Sequence, residues 1–169
     1  MTQPPVARRD RDAAGRPRNA RPRDALGRPL PRGTHGELPP PEEPALSPDA
    51  ALETAQRLID SGRAFRAHEV LEASWKAAPT GERELWRGLA QVAVGLTHAQ
   101  RGNARGAVAL LRRGGERVGG YVRPPHGIDA AGVASSAADL ADDIERAGLA
   151  AVERAKLRIR LRAGGESAC

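Results

Sequence analysis

Apolar residues recur at helical spacing from about residue 48 onward, and no such period precedes it. Ser47, Pro48 and Asp49 combine a capping hydroxyl, a proline suited to the first helical position and an acid in the first turn. Leu52, Ala55 and Ile59 follow on one face and Gly62 supplies a left-handed stop, which predicts a helix over residues 48–61. A second helix is expected from Arg63 to Ala77, with Ala67, Val70, Leu71 and Ser74 on one side and Pro79 beyond its end. Thr80 is the expected cap of a third, in which Leu85, Leu89, Val92, Leu96 and Ala99 form the most regular repeat in the chain. Gly102 followed by Asn103 reads as a stop and then a start. A fourth helix, with Ala104, Ala107, Val108 and Leu111 on one face, should therefore fold back antiparallel on the third.

Gly114, Gly115, Gly119 and Gly120, with Pro124 and Pro125, are expected to interrupt the pattern. Asp129 then caps a fifth helix carrying Val133, Ala137, Leu140 and Ile144 and ending near Gly148. After a further turn, Leu157, Ile159 and Leu161 alternate with Arg158, Arg160 and Arg162, the period of an extended segment lying along the bundle with its apolar side down. The fold class implied is all-α, a small bundle of about five antiparallel helices built from helical hairpins. A faint repeat at a 40-residue offset, Gly62, Ala67, Val70 and Leu71 against Gly102, Ala107, Leu110 and Leu111, fits that architecture. Three regions are expected: a disordered Arg/Pro-rich lead over 1–46, a helical bundle domain over 47–148, and a short helix or extended basic tail over 149–169.

Composition narrows the picture. A chain of 169 residues allows one modest core. Phe65, Trp75, Trp86 and Tyr121 are its only aromatics, so Ala, Leu and Val must fill that core, which favours helices. The longest uncharged stretch, Gly88 to Gln100, is 13 residues, too short for a bilayer, so no membrane association is expected. No signal-peptide pattern follows Met1, and the lone cysteine, Cys169, excludes internal disulfides; both point to the cytoplasm.

Charge is concentrated at one end. Residues 1–33 hold nine Arg and three Asp, which equals the whole formal charge of +6. Arg8, Arg9, Arg11, Arg16, Arg18, Arg21 and Arg23 could tether the domain to nucleic acid or another polyanion, or could form a solvated tail; no aromatic in the lead offers base stacking.

The candidate chemistry is a polar seam. Phe65, His68, Glu72 and Trp75 share one stripe of the second helix, and Gly88, Gln91, Gly95 and His98 share one stripe of the third. If the stripes face each other, His68, Glu72, Gln91 and His98 converge between the rings, with Glu69 at the edge and Glu84 one heptad before Gln91. Three readings stay open: a structural network that fixes helix register, a divalent-metal site with His68, Glu72 and His98 as ligands, and a ligand or peptide groove bordered by Trp75 and Trp86. The stretch His68-Glu69-Val70-Leu71-Glu72 lacks the second histidine of the zincin motif, and neither a phosphate-binding loop nor a nucleophile elbow is present.

The run from Phe65 through His68, Glu69 and Glu72 to Trp75, then Glu82-Arg83-Glu84 leading to Gly88-Leu89-Ala90-Gln91, and Gly102-Asn103 with Gly106-Ala107, resembles the bacterial domain of unknown function 309 family. The resemblance spans about residues 48–118 and weakens toward 146. It implies a small all-helical bundle, with His68, Glu69, Glu72, Trp75 and Gln91 on motif positions, and it implies no reaction. The expectation is a non-catalytic interaction or ligand-binding module with a protein partner or a second copy of itself. The alternatives are a metal-dependent hydrolase that uses the seam, and a polyanion tether that uses the lead.

Overall fold

A computed structural model describes residues 21–31, 33–36 and 44–164. The chain divides into two compact units, residues 1–43 and 44–169.

Within the first unit the described residues contain a tight turn. Asp24 organises it: its carboxylate accepts from the backbone amides of Leu26 and Arg28 and from Arg28 Nε, and its own amide donates to the Arg28 carbonyl. Gly27 takes the left-handed conformation at φ 75°, and Leu30 N donates to Pro22 O beside an Arg23–Pro29 bridge.

The second unit is all-helical: α1 (Pro48–Asp60), α2 (Ala64–Ala77), α3 (Arg83–Gln100), α4 (Ala104–Gly119) and α5 (Ala130–Ala147), then 3₁₀ turns at Leu149–Ala151 and Arg154–Leu157. Capping explains most of the boundaries. Ser47 Oγ accepts from Ala50 N, Asn103 Oδ1 from Gly106 N and Asp129 Oδ1 from Gly132 N, each satisfying an orphan donor of the first turn. Gly62 and Gly102 stop α1 and α3 at φ 77° and 78°.

Two boundaries differ from expectation. Thr80 does not cap α3; the chain makes one more turn, with Glu82 N donating to Pro79 O, and the helix begins at Arg83. Nor do Gly114 and Gly115 break α4, which continues through both to Gly119. Both glycines are buried at helix contacts, so close packing compensates their weak helix propensity.

Consecutive helices pack side by side, and the α3–α4 interface is the most extensive. Leu71, Leu85, Leu89, Leu96, Leu111 and Leu140 are fully buried, as are the small residues Ala55, Ala67, Ala93 and Ala107 that bring the helices together. Between α3 and α4 the approach is tighter still. A Cβ on Gly114 would lie 2.8 Å from both Gly88 O and Val92 N, and one on Gly95 would lie 3.0 Å from Leu111 N. Only glycine fits there without the backbones separating.

The first and last helices do not pack extensively on each other. Residues 157–162 join them instead, with Ile159 and Leu161 buried while Arg158 and Arg160 are exposed.

Candidate functional site

The glycine stripe of α3 decides the site's geometry. Gly88 lies against Val118 and Gly114 and Gly95 lies against Leu111, so this stripe faces α4 and not α2. The expected closed seam between α2 and α3 is therefore not what these residues build. Glycine spacing signals close approach, and the helix with its own matching glycine is α4.

Gln91 follows its stripe toward α4. Its Oε1 accepts from Arg117 Nε at 3.2 Å, and Arg117 also pairs with Glu84, which Arg87 approaches to 3.5 Å. His98 sits at the same edge, near the α3–α4 turn. Asn103 Oδ1 already accepts from Gly106 N, so Asn103 Nδ2 donates to His98 Nδ1 at 2.9 Å and the proton of the neutral ring lies on Nε2. Burial holds the His98 pKa below the ordinary histidine value, and the nearby Arg101 charge adds to this.

The α2 residues form a second, partly exposed group. His68 Nε2 lies 3.6 Å from Glu72 Oε2, and Lys76 Nζ pairs with the other Glu72 oxygen at 3.0 Å. Glu69 pairs with Arg66 at 2.8 Å on the same helix. The His68 ring is tilted against Phe65 at 5.8 Å between centroids. Two arginines cover the aromatic ends of the stripe: Arg101 lies over Phe65 and Arg87 over Trp75, each at 5.5 Å from the ring centre. The result is a partly exposed face along α2 and α3 that carries aromatic rings, guanidinium groups and a His–Glu pair, with Trp75 also packed against the core.

His68 and Glu72 are thus together, while His98 is engaged at the α3–α4 turn. Among the described residues no group of three or more His, Cys, Asp or Glu side chains is arranged to hold a metal ion. Trp86 does not border a groove with Trp75; it is 2% exposed, in the core, and its indole Nε1 donates to Glu82 Oε2 at 3.2 Å. Arg8, Arg9, Arg11, Arg16 and Arg18 lie outside the described residues; Arg21 and Arg23 belong to the first unit.

Sequence reasoning missed one cluster. His126, in the α4–α5 loop with φ 61°, donates from Nε2 to Glu82 Oε2 at 2.9 Å and lies against the Trp86 ring, while Tyr121 OH donates to Gly81 O at 3.0 Å. The His126 hydrogen bond, with that from Trp86, holds the Glu82 carboxyl below the ordinary glutamate value. These contacts tie the loop to the start of α3. Only the prolines beside His126 hinted at a fixed loop, and nothing local paired it with a residue 44 positions away.

Fold and site define a small helical-bundle domain with an open polar and aromatic face on its central helices. Residues 52–110, from α1 into α4, match the family model described as domain of unknown function (DUF309). No curated protein and no solved structure matches the chain. The matched segment includes His68, Glu72, Trp75, Gln91 and His98; α5 and residues 157–162 lie beyond it.

Proposed function

We propose that the domain is a non-catalytic interaction module that binds a protein partner through the open face of α2 and α3. The observation that carries this reading is the pair of Arg-capped rings, Trp75 with Arg87 and Phe65 with Arg101, on a partly exposed surface. Tryptophan and arginine contribute disproportionately to protein interfaces, because each supplies large contact area together with directional polar groups. The His68–Glu72–Lys76 run adds hydrogen-bonding capacity beside the rings.

The test is co-purification with cross-linking from the native host, with the full chain as bait and Trp75→Ala/Arg87→Ala as the comparison. A partner retained by the wild-type chain and lost from the variant, with the variant still folded by its far-UV spectrum and cooperative melt, supports the reading. An identical set of captured proteins contradicts it. Stoichiometric metal in the wild-type protein that is lost in His68→Ala would replace it with the metal-dependent hydrolase.

A further inference from the structure

Residues 157–162 occupy a channel between α1 and α5 in the manner of a bound peptide. Alternate side chains point down, with Ile159 2% and Leu161 1% exposed. The backbone is held by contacts that read no side chain. The Gln56 amide donates from Nε2 to Ile159 O at 3.3 Å and accepts at Oε1 from Leu161 N at 2.8 Å, and Asp129 N donates to Leu161 O at 2.9 Å. Backbone clamping combined with burial of every second side chain is how proteins bind extended peptides generally.

The channel walls match the segment's charge. Helix residues beside it contribute Glu53 and Asp60 from α1 and Asp139, Asp142 and Asp143 from α5, against two arginines, Arg57 and Arg146. Arg162 pairs with Asp49 and Lys156 with Asp143. Solvent-open grooves of about 440 and 640 Å³ flank the segment on its α5 and α1 sides. The connecting turns at 149–151 and 154–157 bury no residue, and Gly148 begins them at φ 80°. Leu149, Val152 and Leu157 reach the core only as half-buried contacts, so the fully buried anchors of the segment are Ile159 and Leu161.

We infer that the α1–α5 channel is a binding site for an extended peptide that alternates aliphatic residues with arginine, and that residues 157–162 are its resident ligand in cis. A partner segment of the same chemistry competes for the channel and releases the resident one. The site is separate from the open face of α2 and α3 and stands whether or not that face binds a partner.

The test uses a fluorescent peptide with the sequence of residues 156–163 and a register-shifted peptide in which aliphatic and arginine positions are exchanged. The receptor is the full chain, wild-type or carrying Ile159→Ser/Leu161→Ser to empty the channel. Because a resident ligand reduces apparent affinity by the fraction of open channel, the variant should bind the peptide at least about tenfold more tightly than wild type, and the shifted peptide should not bind. A folded variant that fails to discriminate the two peptides overturns the inference. A second measurement covers a variant that does not fold: the chain of wild-type sequence carries a dye on Cys169, its single cysteine. Excess peptide should lower the dye's fluorescence anisotropy as the resident segment leaves, and the shifted peptide should not. Unchanged anisotropy at saturating peptide also overturns it, as does release that requires dimer formation, which would assign the channel to a second copy of the chain.

Discussion

The bundle is closed in two different ways at two places. Between α3 and α4 the helices meet directly, backbone to backbone, at Gly88, Gly95 and Gly114. Between α1 and α5 they do not, and an extended segment fills the gap with two aliphatic side chains and a glutamine clamp. The first closure relies on shape: small residues allow dense packing over a long interface and leave no room for rearrangement. The second relies on a modular contact, with exposed arginines and open space on both sides. The difference separates a part of the fold that must stay shut from a part that can open.

Substitutions should separate the two closures. The largest effect belongs to Gly114→Val, whose added atoms would press on Gly88 O and Val92 N. Forcing the backbones apart should cost about 3 kcal/mol, read as a lower denaturant midpoint. Leu161→Ala comes next, at about 2 kcal/mol, the low end for a buried leucine because the segment can settle into the space. If it costs as much as Gly114→Val, the second closure is not modular.

Glu82→Ala should cost about 1 kcal/mol or somewhat more, since it strips the buried Trp86 indole N–H and His126 of their acceptor. This site also carries a pH signature. The Glu82 pKa is lowered in the fold, so its contribution is complete above the ordinary glutamate range and is lost as pH falls through the lowered value. Unfolding midpoints measured in acid should show a shallower loss in Glu82→Gln than in wild type. The smallest effect is expected for Asp143→Asn, whose partners Lys156 and Arg146 are largely solvated. Its thermal melt should match that of wild type.

The caps at Ser47, Asn103 and Asp129 and the period of Leu85, Leu89, Val92 and Leu96 were readable because they are local signals, and they set most of the helix order. Gly88 and Gly95 announced a close approach but not its partner. Periodicity reports which residues share a face, while α4 was chosen by Gly114, read in sequence as a break. Once that stripe turned to α4, Gln91 and His98 went with it, and the α2 stripe of His68, Glu72 and Trp75 was left half-buried at the surface. The Glu82–His126 pair and the Gln56 clamp join residues 44 and more than 100 positions apart, and such pairings leave no local trace.

Native-state hydrogen exchange on the full chain tests the contrast most directly, by comparing the Leu161 amide, bonded to Gln56, with the Val92 amide in α3. Leu161 should exchange through a local opening with little dependence on denaturant, while Val92 should exchange only on global unfolding. Equal opening free energies, with the same denaturant dependence at both sites, would contradict it.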